Sequence, residues 1–330
     1  MVKITNEDVE VSHHETKRTK PENDPKKVEI GEKDAVGYKE VAIPDLDEWD
    51  PLSLPDHFFV VLEGKRRTGK STFAKWLLQF YRDKFSLAWC MTRTKSSGYW
   101  QEFVGEAFTF DNWYPLAILK LLDRNDKIIK EYGEDSDEAK KLGSVLLILD
   151  DVISAKIFND PVFIKLAVEG RHHLISVILA TQDPKAISPK IRDNADVAVV
   201  FNQKTFRNKE SIWMDFMNDV PKDVGFSIIS KFCVEHHGLV CIQTNLNSDI
   251  QKNYMKTTGD KTKLTFPDYI LGGLEQKKIV MEERKVKEQE NKKRKIVLKA
   301  DRRPMDERRL DTKDQSSQLT VNKIFETPIF

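Results

Sequence analysis

Short, uniformly apolar runs alternate with longer amphipathic stretches in the middle of the chain. Each run is rich in Val, Ile, Leu or Phe and has about the length of one buried strand. The runs occupy residues 57–62, 85–91, 145–149, 174–180 and 197–201. Strands that are apolar throughout and are separated by helices are typical of a parallel sheet with helices on both faces. The pattern therefore predicts an α/β fold.

The stretches between these runs have the period of a helix. Apolar residues recur at helical spacing over 72–82, and 116–132 is also amphipathic. Residues 161–169 predict a further short helix. The pattern changes towards the end of the apolar region, where runs at 226–234 and 239–244 flank the sequence E-H-H-G. These two runs predict an antiparallel hairpin at one edge of the sheet.

Charge is distributed unevenly, although the net charge of the 330 residues is only +1. Residues 1–50 carry 14 acidic and 8 basic side chains, which predicts an acidic and largely disordered extension. Residues 271–330 carry 16 basic and 11 acidic side chains, including K-K-R-K at Lys292 to Lys295, and predict a basic, partly helical extension. The segment 51–270 holds nearly all the branched and aromatic residues, and we expect it to be the folded domain.

Composition excludes several classes of protein. The cysteines Cys90, Cys233 and Cys241 lack C-x-x-C spacing, which argues against a disulfide scaffold and a zinc site. His172 and His173 have no metal-ligating partners at suitable spacing, and we interpret them as structural. The N-terminal region has no apolar signal core, and no apolar run approaches the roughly 20 residues of a membrane span. We therefore expect neither a secreted nor an integral membrane protein.

The first predicted strand is followed by a phosphate-binding loop of the form G-x-x-x-x-G-K-S. Its glycines let backbone N–H groups surround the phosphates, and the helix that follows directs its positive dipole end at them. We expect Lys70 to reach the β- and γ-phosphates of ATP and Ser71 to ligate Mg²⁺. The predicted nucleotide-binding residues are Gly64, Lys65, Arg66, Arg67, Thr68, Gly69, Lys70, Ser71 and Thr72.

The strand at 145–149 ends in two carboxylates, Asp150 and Asp151, an arrangement known as the Walker B motif. Asp150 would hold the Mg²⁺ shell, and Asp151 would polarise the attacking water. The same pair also fits a simple helix cap. Gln182 follows the strand at 174–180, and ligands of such sheets bind at the carboxyl ends of strands. We therefore expect Gln182 to lie near the γ-phosphate.

The order of motifs resembles the genome-packaging ATPases of large double-stranded DNA viruses, of poxvirus and giant-virus type, in the FtsK–HerA superfamily. The resemblance covers about 50–245 and rests on G-K-R-R-T-G-K-S, L-L-I-L-D-D, E-G-R-H-H-L-I-S-V-I-L-A-T-Q and I-R-D-N-A-D-V-A-V-V-F. It implies a RecA-like P-loop NTPase core, a homo-oligomeric ring and ATP-driven pumping of duplex DNA into a preformed capsid, with a capsid or portal protein as a further partner.

The resemblance also implies roles for individual residues. Lys70, Asp151 and Gln182 would be catalytic, and an arginine from the next subunit would contact the γ-phosphate. Arg192 is the first candidate for that arginine, and Arg171 and Arg207 are alternatives. The sequence departs from the family pattern at Asp151, where glutamate is common, and at Arg66 and Arg67, where small residues are expected.

DNA contacts are predicted from basic residues on loops, since a pump grips the phosphate backbone without reading bases. The candidates are Lys95, Lys204, Arg207 and Lys209. The viral resemblance implies the host cytoplasm (the viral factory) or the virion as the location. The Lys292–Lys295 cluster also fits a nuclear-import signal, a DNA clamp, a capsid contact or a solubilising tail.

Other functions fit parts of the pattern. A HerA- or FtsK-like cellular or plasmid pump or helicase would share the core. A nucleotide-gated switch or assembly scaffold would need the loop, but would not need both Asp151 and Gln182. A small-molecule kinase would use the same loop, and would usually add an arginine-rich lid.

Overall fold

The computed structural model describes residues 41–43, 45–152, 155–182, 187–233, 238–243, 250–257 and 268–300. Within these ranges the side chains of 155–156, 250–251 and 294–300 are not described. The predicted acidic extension up to residue 40 and the basic residues beyond 300 lie outside the described residues.

The described elements alternate between strands and helices over most of the chain. The strands are β1 (Phe59–Glu63), β2 (Leu87–Thr92), β3 (Thr109–Phe110), β4 (Val145–Asp150), β5 (Ile175–Thr181), β6 (Val197–Val200), β7 (Leu239–Ile242) and β8 (Tyr254–Lys256). The α-helices are α1 (Lys70–Leu78), α2 (Gln101–Val104), α3 (Pro115–Tyr132), α4 (Asp137–Gly143), α5 (Ala155–Phe158), α6 (Pro161–Glu169), α7 (Pro189–Arg192), α8 (Phe206–Phe216), α9 (Lys222–Phe232) and α10 (Leu274–Ala300). Short 3-10 helices span Pro51–Ser53, Gln79–Tyr81, Lys95–Ser97, Gly170–His173 and Ile250–Asn253.

All the described strands form one mixed sheet in the order β3-β2-β4-β5-β1-β6-β7-β8. The pairs from β3 through β6 are parallel, and β7 pairs antiparallel with both β6 and β8. Every residue of β1, β2, β4 and β5 is buried, so both faces of the central sheet are covered. The prediction of a mostly parallel α/β fold is confirmed.

The strand order brings the ends of four separate strands together. β5 lies between β1 and β4, with Glu63 beside Thr181 and Asp150 beside Ala180. β2 flanks β4 on the other side, with Thr92 beside Asp150. Residues that directly follow these strands therefore emerge at one edge of the sheet.

The predicted hairpin strand at 226–234 is wrong, because most of this run belongs to α9. Its β-branched and aromatic residues fit a strand, but Phe226, Ile229 and Phe232 are buried at helical spacing. The predicted antiparallel edge is confirmed, although β7 forms it with β6 and β8 instead. The E-H-H residues between the predicted strands lie outside the described residues.

Packing continues beyond both ends of the predicted 51–270 domain. Trp49 is buried before it, and Gln276 and Val280 of α10 are buried after it. The Gln276 amide exchanges two hydrogen bonds of 2.8 Å with the Ala88 backbone and donates a third to Val104 O at 2.9 Å. β3 pairs only with the last part of β2. The Gln276 side chain therefore provides hydrogen-bond partners for the backbone N–H and C=O of Ala88, which lies on β2 before that part.

Further along α10 the side chains become exposed. Lys292 and Lys293, from the predicted basic cluster, are both exposed, and Lys292 pairs with Glu288 at 2.7 Å. The side chains of residues 294 and 295 are not described. Among the described residues, no helix combines the length and apolar character needed to cross a membrane.

The three cysteines are buried, and none of them forms a disulfide bond. Burial raises the pKa of the Cys90 and Cys241 thiols well above the ordinary value. These thiols therefore act as small apolar core residues and are not poised as nucleophiles.

Candidate active site

A cavity of about 820 Å³ opens at the carboxyl edge of the sheet, above β1, β4 and β5. Its volume falls in the range of small-molecule and cofactor sites. It is lined by Lys65, Arg66, Arg67, Thr68, Gly69, Lys70, Ser71, Thr72, Arg93, Thr94, Ser97, Tyr99, Asp150, Asp151, Thr181 and Gln182. The structure thus brings the predicted loop, both carboxylates and the predicted glutamine to one place.

The loop between β1 and α1 has the backbone of an anion cradle. Gly69 has φ +95° and caps α1 without a side chain, which leaves the first N–H groups of the helix available. Gly64, one of the predicted nucleotide-binding residues, does not line the cavity. It instead allows the close packing of the loop. A Cβ at position 64 would come within 2.7 Å of Thr68 Oγ1 and 2.8 Å of Phe201 Cβ, so only glycine fits.

Lys70 is buried at the start of α1 and folds back over the loop. Its Nζ donates to Gly64 O at 2.5 Å and to Lys65 O at 3.1 Å. Burial lowers the pKa of Lys70, and the nearby Asp151 carboxylate is the strongest influence in the opposite direction. The ammonium is therefore held by weak neutral acceptors that an anionic ligand can replace.

Asp150 ends β4 and lies against the start of α1. Its Oδ2 accepts hydrogen bonds from Ser71 Oγ at 3.0 Å and from the Trp100 indole Nε1 at 2.7 Å. Burial raises the pKa of Asp150, and these two hydrogen bonds act against that rise. A hydroxyl and a carboxylate in contact supply the hard oxygen donors that Mg²⁺ prefers.

Ser71 and Asp150 offer the kind and number of protein oxygens through which Mg²⁺ usually binds. Among the described residues, no group of three or more His, Cys, Asp or Glu side chains could hold a metal ion. Mg²⁺ usually keeps several waters and binds through one or two protein oxygens together with substrate phosphates. Ser71 and Asp150 match that mode of binding.

Asp151 and Gln182 form a second pair at the cavity. Gln182 Nε2 donates to Asp151 Oδ2 at 2.5 Å. Asp151 has φ +54°, in the left-handed region that aspartate and asparagine tolerate better than longer side chains. This backbone gives a physical reason for aspartate where glutamate is common.

The cavity carries arginines that have no partner among the described residues. Arg66, Arg67 and Arg93 are exposed, and none makes a hydrogen bond or ion pair with a described residue. Together with Lys65 and Lys70 they outnumber the two aspartates of the lining. The excess of positive charge suits a polyanionic ligand.

Sequence reasoning missed Arg93, Thr94, Ser97, Tyr99 and Trp100, which reach the site from the segment after β2. The one feature of the sequence that could have indicated these residues is their position just beyond the predicted strand at 85–91. Position alone is a weak indication, because only the pairing of β2 with β4 brings the segment beside Asp150.

The predicted arginines lie outside the cavity of their own chain. Arg192 is half-buried and pairs with Asp215 at 3.0 Å, and it also donates to Ile187 O at 3.0 Å. Arg171 and Arg207 are exposed. Of the three, Arg192 is therefore the one already engaged by a carboxylate of its own chain.

The predicted DNA-contacting residues have different surroundings. Lys95 pairs with Glu106 at 3.2 Å, and Lys209 donates to Ser230 Oγ at 2.7 Å. Lys204 is exposed in the loop before α8, and Arg207 is exposed in the first turn of that helix.

The two histidines contact acidic side chains. His173 Nδ1 lies 2.5 Å from Asp126 Oδ1, and His172 Nδ1 lies 3.4 Å from Glu134 Oε1. His173 Nε2 also lies 3.8 Å from Glu169 Oε2, so His173 contacts two carboxylates and His172 contacts one.

Comparison with known proteins gives one family and several viral relatives. The family model described as "Poxvirus A32 protein" matches residues 50–262. Uncharacterized protein 015R of Frog virus 3 (isolate Goorha) is 26% identical over 176 residues, which are 53% of this chain and 53% of that protein. Uncharacterized protein 075L of Invertebrate iridescent virus 6 is 28% identical over 164 residues, which are 49% of this chain and 61% of that protein. The chain thus spans 53% and 61% of the lengths of these two relatives.

Solved structures also match at low sequence identity. One is the genome packaging NTPase B204 from Sulfolobus turreted icosahedral virus 2 in complex with AMPPCP. It is 17% identical with a TM-score of 0.40, and the match covers 62% of this chain and 99% of B204.

Proposed function

Because the chain belongs to the poxvirus A32 protein family, we propose that it is a genome-packaging ATPase that translocates double-stranded DNA into a preformed capsid. The observation that carries the proposal is the contact between two motifs 79 residues apart, Ser71 Oγ to Asp150 Oδ2 at 3.0 Å. This contact joins the phosphate-binding loop to the carboxylate expected to serve the metal. A helix cap alone gives no reason for Asp150 to contact Ser71.

The binding step uses the loop and the start of α1. The free N–H groups of the loop and the helix dipole attract the β- and γ-phosphates of ATP. Lys70 exchanges its carbonyl acceptors for phosphate oxygens, which gives it stronger, charge-assisted hydrogen bonds. Ser71 and Asp150 would hold Mg²⁺, which supplies positive charge to the phosphates in the transition state.

The hydrolysis step uses the pair of Asp151 and Gln182. The Asp151 carboxylate accepts a hydrogen bond from the attacking water and orients it for in-line attack on the γ-phosphate. Gln182 holds Asp151 through its amide N–H, so the water-binding oxygen has a defined position. The amide N–H can also donate to an oxygen of the γ-phosphate in place of Asp151. Gln182 would then act as a sensor, because its hydrogen-bond partner would depend on whether the γ-phosphate is present.

The assembled motor would be a homo-oligomeric ring. An arginine from the neighbouring subunit would complete the site, with Arg192, Arg171 and Arg207 as candidates. Use of Arg192 would require it to leave Asp215. Lys204 and Arg207, both exposed, are the strongest candidates for contacts to the DNA backbone. A capsid or portal protein would be the docking partner, in the host cytoplasm (the viral factory) or in the virion.

Steady-state ATP hydrolysis with and without long duplex DNA at low salt tests the proposal. Lys70→Ala serves as the inactive blank, and Lys130→Ala is the matched control because Lys130 is exposed on α3, away from the cavity. We expect Mg²⁺-dependent turnover that DNA stimulates, and we expect Lys70→Ala but not Lys130→Ala to lose it.

The other outcomes separate the alternatives. Nucleotide binding without turnover, in the presence or absence of DNA, would overturn the motor in favour of a switch or scaffold. Phosphate transfer to a small molecule in place of water would overturn it in favour of a kinase. Strand separation coupled to turnover would favour a helicase.

A further inference from the structure

Trp100 reaches Asp150 from a part of the chain that none of the sequence motifs includes. Its indole Nε1 donates to Asp150 Oδ2 at 2.7 Å, and the side chain is buried. Ser71 Oγ donates to the same oxygen. Asp150 Oδ1 accepts no hydrogen bond from any described residue. Two donors on one oxygen thus hold the carboxylate in one orientation and leave its other oxygen available.

The segment around Trp100 is anchored to α1 through Lys75. The Lys75 ammonium is buried, donates to Tyr99 O at 2.8 Å and lies 3.2 Å from the centre of the Tyr99 ring. It also lies 3.8 Å from the centre of the Phe103 ring. Burial lowers the pKa of Lys75 to about 8. The cation therefore holds both ends of the turn that carries Trp100.

The same segment is also anchored by α10. Gln276 donates to Val104 O at 2.9 Å, and Arg284 donates to Glu102 O. Glu283 accepts hydrogen bonds from the backbone N–H of Glu106 at 2.8 Å and of Ala107 at 3.0 Å. α2, which starts directly after Trp100, is thus held by α10 as well as by Lys75.

We propose that Trp100 is a positioning residue for Asp150, whose carboxylate it holds in the orientation needed for the Mg²⁺ of the bound nucleotide. This inference rests on the proposed function. Metal-binding side chains commonly depend on such outer hydrogen bonds, and losing one typically costs about 10- to 100-fold in metal affinity or activity. Trp100 acts through Asp150 and is not itself expected to contact the phosphates.

The test is a Mg²⁺ titration of Trp100→Phe, read by the binding of a fluorescent ATP analogue and by turnover. The matched control is Trp113→Phe, because Trp113 Nε1 donates to the Asp160 carboxylate at 3.0 Å and is also buried, away from the cavity. We expect the half-saturating Mg²⁺ concentration to rise about 10-fold in Trp100→Phe and to stay unchanged in Trp113→Phe. Binding of the analogue in EDTA should be the same in all three proteins.

A second variant keeps the test decisive if Trp100→Phe does not fold. Replacing Trp100 by 3-benzothienyl-alanine keeps the bicyclic ring and removes only the N–H donor, and the same rise is expected. An unchanged Mg²⁺ requirement in a folded variant would overturn the role of Trp100 while leaving the proposed function intact. If the wild-type protein binds no nucleotide, both proposals are overturned.

Discussion

Replacing Asp151 by glutamate looks conservative, but the structure predicts that it is not. Asp151 has φ +54° and accepts a 2.5 Å hydrogen bond from Gln182. Glutamate must adopt the same left-handed backbone without the local hydrogen bonding that aspartate offers there. Its extra methylene also moves the carboxylate by about 1.5 Å, the length of one C–C bond.

The backbone strain should affect stability, and the displaced carboxylate should affect the rate of hydrolysis. The backbone strain should lower the free energy of unfolding by about 1 kcal/mol, which corresponds to a fall of about 2–4 °C in Tm for a domain of this size. A displacement of about 1 Å at a reacting group can cost about 100-fold in rate, so kcat should fall by about that factor. Asp151 is not expected to hold ATP in the ground state, so nucleotide affinity should change by less than about threefold.

The assays are urea unfolding, steady-state hydrolysis and binding of a fluorescent nucleotide. Asp151→Asn is the control, because asparagine tolerates the backbone but carries no charge. It should keep wild-type stability and lose about 10²- to 10⁴-fold in turnover, the usual contribution of a general base. If Asp151→Glu matched wild type in both stability and turnover, the left-handed backbone would not explain the preference for aspartate.

Three further predictions concern side chains that are buried or half-buried. Arg192→Ala should lower the free energy of unfolding by about 2 kcal/mol, because it removes an arginine that pairs with the half-buried Asp215 carboxylate. Adding Asp215→Ala should recover part of this loss in urea unfolding, and normal hydrolysis by assembled Arg192→Ala would contradict its role as the trans arginine. Burial lowers the pKa of His57 to about 4, so the unfolded chain takes up the proton first as pH falls. Urea unfolding should therefore show wild type losing up to about 2 kcal/mol more than His57→Gln between pH 7.5 and pH 5, whereas parallel pH profiles would refute this. Gln276→Leu should cost about 2–3 kcal/mol in the same assay, because it leaves buried backbone groups of β2 and α2 unpaired, and a loss below 1 kcal/mol would show that water replaces the amide.

Pattern reasoning failed where a local sequence fits two structures. The run at 226–234 is as apolar and β-branched as a strand, yet most of it forms α9. A short apolar run has no local preference strong enough to decide between the two. Burial of one helical stripe, including Phe226 and Ile229, decided it.

The amino-acid sequence by itself determined the phosphate-binding loop and the alternation of strands and helices. These features are contiguous, so the spacing of residues such as Gly64, Gly69 and Lys70 carries the chemistry directly. Only the tertiary structure brought Trp100 and Arg93 to the site, because this depends on which strands pair. Likewise, only the tertiary structure shows that Arg192 pairs with Asp215. The two residues meet through the packing of separate elements, and no local pattern encodes that contact.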